Sequence, residues 1–255
     1  ETQQVCKIMI QRLYISILIF TTLTCYTRAQ QETYTVTKAP FSSDKYDEYS
    51  PVFYKNGIVF SSNRGSGLLV DYSSSTGKTT FNINFIDTIK KVTWQKARSF
   101  SKSLNTHFND GPATFNSRCD TIYYSRNLLQ VKGKFSNLST GRNKLGIFSA
   151  VKEGSNWTKI RELRFNNEWY NVTTPYLSPD GKRLYFASDK PDGYGGSDIY
   201  YCEWKGDYWN YPVNIGSVIN TSGNESYPFV NPAGEILFSS DGHPGLGGKD
   251  IFFSR

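Results

Sequence analysis

Apolar residues recur along this chain in short alternating runs, each closed by a turn, and no stretch between them keeps the 3.6-residue spacing of a helix face. Four runs are near copies: Ile58-Val-Phe-Ser-Ser, Thr121-Ile-Tyr-Tyr-Ser, Leu184-Tyr-Phe-Ala-Ser and Ile236-Leu-Phe-Ser-Ser. A turn precedes each (Asn56-Gly57, Ser117 to Asp120, Asp180-Gly181, Ala233-Gly234), and before the turn comes a segment with a proline at Pro51, Pro112, Pro175 or Pro228, spaced 61, 63 and 53 residues apart. That is one hairpin written four times. A third strand follows in every unit (Thr80 to Ile86, Gly146 to Val151, Asp198 to Glu203, Asp250 to Ser254), and a fourth opens at Trp94, Trp157 or Trp209. Those tryptophans stand 18, 18 and 19 residues before the next proline. A Trp held in that register is a packing device, filling the space between neighbouring sheets.

Four antiparallel strands repeating every fifty to sixty residues, with one aromatic per unit, predict an all-β chain folded as a β-propeller of four-stranded blades. A parallel αβ fold is excluded, since no helical segment separates the strands. A blade cannot bury both faces alone, so the stack must close. The segment Tyr34-Thr-Val-Thr-Lys lies 17 residues before Pro51, where other units carry their Trp, and the chain's last strand has no fourth after it. Two readings stand: this N-terminal strand completes the last of four blades, or the chain is truncated and the native ring is larger.

The first residues are of another kind. Lys7 and Arg12 precede the apolar run Leu13 to Leu23, and Thr27-Arg28-Ala29 has the small residues of a cleavage site, so residues 1–29 are expected to be a signal peptide with the residues upstream of it, and 30–255 the propeller. The run is too short to cross a bilayer as a permanent anchor. Cleavage before Cys25 would instead leave a lipid-bearing cysteine, although Thr22-Leu23-Thr24 fits such a site poorly. Cys119 and Cys202 remain, one at a turn and one in a strand, and are expected to be unpaired. With 16% aromatic residues, one Met and 20% charged residues, the chain is neither disordered nor a helical bundle. Its charge is uneven: residues 88–164 carry 15 Lys and Arg against 4 Asp and Glu, and residues 165–255 carry 6 against 11. An exported chain does not meet nucleic acid, so the basic half points to an acidic partner, a phosphate-bearing glycan or a solvated face.

Leu177-Ser-Pro-Asp-Gly-Lys-Arg-Leu-Tyr-Phe-Ala-Ser-Asp-Lys-Pro-Asp-Gly-Tyr-Gly-Gly-Ser-Asp-Ile-Tyr, Pro212-Val-Asn-Ile-Gly after Trp209, and Ser239-Ser-Asp-Gly-His-Pro-Gly-Leu-Gly-Gly-Lys-Asp-Ile-Phe resemble WD40-like repeats of TolB type. They are most similar to the repeats of cell-envelope proteins that join a propeller to an OmpA-like peptidoglycan-binding domain, including a component of the type IX secretion machinery. The resemblance is strong over residues 173–255 and loose over 34–172, where the second unit lacks the Asp-Gly turn and the Gly-Gly-x-Asp step. It implies an exported scaffold, and it does not carry over peptidoglycan binding, because the OmpA-like domain lies outside these residues.

Candidate chemistry is sparse. Asp189, Asp192 and Asp198 offer oxygens at calcium-like spacing, but Asp and Gly also serve tight turns. His107 and His243 have no partner at ligand spacing. Asn137, Asn156, Asn171, Asn220 and Asn224 each start an Asn-x-Ser/Thr triplet and are expected in polar loops. Neither a catalytic residue, a metal nor a cofactor is expected. Residues just after the second strand of each unit, Arg64, Arg126, Lys190 and His243, are expected at the mouth of the central channel, where they would suit an anionic group. The expectation is a non-enzymatic binding scaffold in the periplasm or outer membrane of a Gram-negative bacterium, with an envelope protein or cell-wall glycan as partner and membrane association only indirect or through a lipid on Cys25. The alternative is an exported propeller that hydrolyses glycans.

Overall fold

A computed structural model describes residue 35 and residues 37–64, 80–87, 96–106, 108–128 and 144–255. Each repeat folds as an antiparallel meander. Blade one contains β1 (Glu48–Tyr54), β2 (Gly57–Ser62), β3 (Asn82–Asp87) and β4 (Arg98–Ser99); blade two contains β5 (Asp110–Phe115), β6 (Thr121–Asn127), β7 (Leu145–Glu153) and β8 (Asn156–Glu162). Blade three contains β9 (Val172–Leu177), β10 (Arg183–Ser188), β11 (Asp198–Glu203) and β12 (Val213–Asn214); blade four contains β13 (Glu225–Val230), β14 (Ile236–Ser240) and β15 (Asp250–Ser254). The architecture is a four-bladed β-propeller, with no α-helix among the described residues.

The prolines mark a deformation of the first strand in each blade. Pairing with the second strand slips beside every one of them, between Tyr49 and Val52, Asp110 and Ala113, Thr173 and Tyr176, and Ser226 and Phe229. The residue before each proline, Ser50, Gly111, Thr174 or Tyr227, takes a φ of 52°, 97°, 51° or 53°. A residue without an N–H fits where the ladder is already broken, and the resulting bulge bends the strand. First strands of successive blades neighbour one another around the axis, and the Tyr49 and Tyr227 rings meet at 5.9 Å between blades one and four.

Three apolar cores lie between blades. Trp157 is buried against Tyr54, Phe100 and Phe115 between blades one and two, and Trp209 is buried against Tyr123 between blades two and three. Between blades three and four, Tyr185, Ile199, Ile219, Val230, Ile236 and Phe238 form the third core. Trp94 and Tyr34 lie outside the described residues, as do Cys25, His107, Asn137 and residues 1–29, expected from the sequence to be a signal peptide. Among the described residues blade four has three strands.

The turn expected at Ser117 to Asp120 is present although its Asp-Gly pair is missing, and one other expectation changes. The second unit keeps the geometry of the glycine turns: Cys119 takes φ 55° where Gly181 and Gly234 take 71° and 85°, and its N–H donates to the Asn116 carbonyl as theirs do to Ser178 and Asn231. Asn220 is no loose loop residue. Only 1% exposed, it accepts from the Ile199 N–H at 2.8 Å and donates to the Ile199 carbonyl at 2.9 Å, so its amide extends the sheet like one more residue of strand.

Candidate functional site

In blade three the chain leaves the second strand through Asp189 to Ser197 at one end of the sheet, while the turns Ser178 to Lys182 and Trp204 to Trp209 close the other. The four residues expected at a channel mouth belong to the first end. Pairing sets Ser62, Arg126, Ser188 and Ser240 at one step, opposite Glu48, Asp110, Val172 and Glu225, so Arg64 and Lys190 sit two residues further along and His243 three. Arg126 is 6% exposed; it pairs with Asp110 at 2.6 Å and donates to the Leu104 carbonyl at 2.9 Å. Arg64 pairs with Glu48 and donates to the Phe41 carbonyl at 3.2 Å. The Lys190 ammonium reaches the Pro191 carbonyl at 3.3 Å, and His243 lies 2.8 Å from the Ile219 carbonyl beside Phe238 and Phe252. These side chains hold the fold's own backbone and acids.

The acidic loops at this end are likewise committed to turns. Asp198 accepts from the N–H groups of Tyr194 and Gly195 at 2.6 and 3.2 Å and from Asn214 at 2.8 Å, and Asp250 accepts from Leu246 and Gly247 at 2.8 and 3.3 Å. Asp189 binds the backbone and side chain of Asn171. That explains the Gly-Gly-x-Asp step: one carboxylate gathers the amides of the glycine turn.

The opposite end carries two cavities that share Trp204. The larger, about 510 Å³, lies between blades three and four and is lined by Asp180, Arg183, Tyr185, Glu203, Trp204 and Val230, among others. Tyr185 holds the register position that Tyr123 holds in blade two, and Tyr123 is covered by Trp209, which lies in the turn before β12 and not in the fourth strand that the sequence expected it to open. Tyr185 is itself 7% exposed and belongs to the third core, so this cavity opens directly onto the packing between blades three and four. Its acids are ion-paired or turn-bonded: Glu203 to Lys205 at 2.9 Å and Arg183 at 3.5 Å, Asp180 to Ser178 at 2.6 Å. Lys205 holds the Glu203 carboxyl below its ordinary range, and the Ser178 hydroxyl does the same for Asp180.

The smaller cavity, about 260 Å³, is a groove between blades two and three, both of which have four strands. Strands β6, β7 and β8 supply Tyr123, Ser149, Arg161 and Glu162, the following residues Leu163 and Arg164 continue the wall, and the turn Trp204 to Trp209 forms the far side. Its floor is fixed, because Trp209 is 5% exposed and meets the Tyr123 ring edge-on at 5.7 Å, and burial raises the Tyr123 phenol above its ordinary value. Its rim is exposed. Trp204, Tyr208 and Tyr211 are 39%, 44% and 75% exposed, and the Arg164 guanidinium lies 4.9 Å over the Tyr208 ring and 5.8 Å from that of Tyr211. Neither Arg161 nor Arg164 is in an ion pair among the described residues. Sequence reasoning passed over this rim, yet it left a signal: Trp204, Tyr208, Trp209 and Tyr211 crowd a turn, where aromatics have no strand face to fill.

No family model matches the chain. No curated protein matches it either. Among solved structures, it is similar to TolB from Acinetobacter baumannii at 12% identity, covering 84% of this chain and 42% of that one with a TM-score of 0.44. An endo-arabinase from Bacteroides thetaiotaomicron matches at 12% identity, 86% and 78% coverage and a TM-score of 0.48, and a puromycin-hydrolysing peptidase from Mycobacterium tuberculosis at 11%, 82%, 30% and 0.42. The chain thus spans under half of the TolB chain and under a third of the peptidase. Similarities this low say nothing of what this chain does, and its fold rests on its own strand topology. They do correct one expectation: hydrolases stand among these propellers, so the architecture gives no ground for calling the chain non-enzymatic.

Proposed function

We propose that the chain is an exported binding module of a bacterial cell envelope and holds a protein or glycan partner in the groove between blades two and three. One observation carries this: Trp204, Tyr208 and Tyr211 stand exposed at a groove whose Arg161 and Arg164 make no ion pair among the described residues, over the buried Trp209. Trp, Tyr and Arg are the residues that dominate binding energies, because they combine large apolar area with a directed polar group. The leader-like residues 1–29 and the resemblance of residues 173–255 to repeats in OmpA-linked envelope proteins support the location.

The test is a photo-activated cross-linker in place of Tyr211, in protein expressed with its leader in a Gram-negative host. A discrete adduct in the envelope fraction, lost on Trp204→Ala/Tyr208→Ala, is expected. If the cross-linker yields no adduct, or one that survives the double substitution, the groove is not a binding site. Release of new reducing ends from an envelope glycan by the purified protein would make the groove catalytic as well.

A further inference from the structure

We infer that the occupant of this groove is a sugar residue of a glycan chain, stacked on Trp204 and Tyr208 with its hydroxyls shared between Arg161, Arg164, Glu162 and Asp207. The inference rests on the binding reading above and names the ligand class for the same groove.

Three features favour a sugar over a peptide or an anion. The first is the mixture of signs. Arg161 and Arg164 supply only donors, Glu162 and Asp207 supply only acceptors when ionised, and no ion pair joins any of the four within the described residues. An anionic ligand would meet two carboxylates alongside its two cations. A hydroxyl both donates and accepts, so a polyhydroxyl ring satisfies both kinds of group at once. The second is the aromatic wall. Trp204 and Trp209 lie 5.1 Å apart with planes at 60°, Trp209 is buried, and Trp204 stands 39% exposed with Tyr208 beside it. A sugar's ring carries a face of C–H groups that suits the electron-rich face of an indole or phenol. The third is size. At about 260 Å³ the groove is small for a folded element or a helix, and its scale is that of a single ring with its substituents. The site is also built on paired strands, since β6 is paired with β7 throughout, Ser149 pairs with Arg161 and Phe148 with Glu162 beyond a bulge at Lys159 and Ile160, and Trp209 is buried.

Titration of the full chain with chitohexaose, laminarihexaose and oligogalacturonate, read by tryptophan fluorescence and calorimetry, tests the assignment. Binding of at least one oligosaccharide is expected. Trp204→Ala should weaken it at least tenfold, Trp204→Phe should retain most of it, and Arg161→Ala and Glu162→Gln should each weaken it several-fold without changing the melting temperature. Tyr194→Ala, an exposed aromatic at the opposite end of blade three, should change nothing. Should no oligosaccharide bind at millimolar concentration while the cross-linker at Tyr211 captures a protein, the sugar assignment fails and the binding reading stands. If a sugar binds equally to wild type and Trp204→Ala, it binds elsewhere and the assignment also fails.

Discussion

Asp110 has no exposed surface, and its carboxylate accepts from Arg126 and from both the N–H and the hydroxyl of Thr106, each at 2.6 Å. Arg126 in turn lies 4.9 Å over the Tyr124 ring. Removing one member of such a pair leaves the other charge buried without compensation, a larger effect than loss of the pair's own attraction. Arg126→Ala is therefore expected to lower unfolding free energy by about 3–5 kcal/mol in urea titrations, while Asp110→Asn with Arg126→Met should recover most of that. A loss under about 1 kcal/mol for the single change would mean that water reaches the pair. The sequence placed Arg126 at the channel mouth by its station along the second strand, which says nothing of its partner, and that partner, Asp110, comes from sixteen residues away.

Between residues and sheets stands a device repeated in three blades. Asn105, Asn166 and Asn220 each accept from and donate to the backbone of one residue on the third strand, Ile83, Ile147 and Ile199 respectively, at 2.8 to 2.9 Å. Each amide thus ends the fourth-strand edge and starts the crossing to the next blade. Asn220→Ala would strand the Ile199 N–H and carbonyl away from water, with an expected loss of about 1–3 kcal/mol in a thermal or chemical melt. Asn220→Asp should recover only part, since it restores an acceptor and no donor. The elements themselves were legible: the third strands at Asp198–Glu203 and Asp250–Ser254 and the second at Ile236–Ser240 occur with the bounds that alternation gave. Asn220 was not, because an Asn before Thr and Ser has the same local pattern in a solvated loop.

Across the whole molecule, burial sets the response to pH. It raises the phenols of Tyr49, Tyr123, Tyr124, Tyr170, Tyr176, Tyr200 and Tyr227 above their ordinary value and pushes the Cys202 thiol up to about 12. A group with a raised folded pKa contributes its full stability below its unfolded value, about 8.5 for a thiol and 10 for a phenol, and that contribution is lost as pH rises through the folded value. Stability should hold near neutrality and fall steeply above about pH 9, with tyrosinate absorbance appearing in the same transition as the loss of β-sheet signal. Separate transitions would show that the phenols ionise in the folded state. The acids with lowered values, such as Asp120, Glu153 and Glu235, are at the surface, so the acid limb should be shallow. What the chain's own residues determined is the repeat: four prolines, the tryptophans that follow them and the two-residue alternation specify blades, because strand and turn are local choices fixed by local chemistry. What only the tertiary structure decided is which surface is left to function. Arg64 and Arg126 became internal ion pairs, and the rim of Trp204, Tyr208 and Arg164 came together from blades two and three, because charge pairing and groove geometry depend on residues that meet only when one sheet packs upon the next.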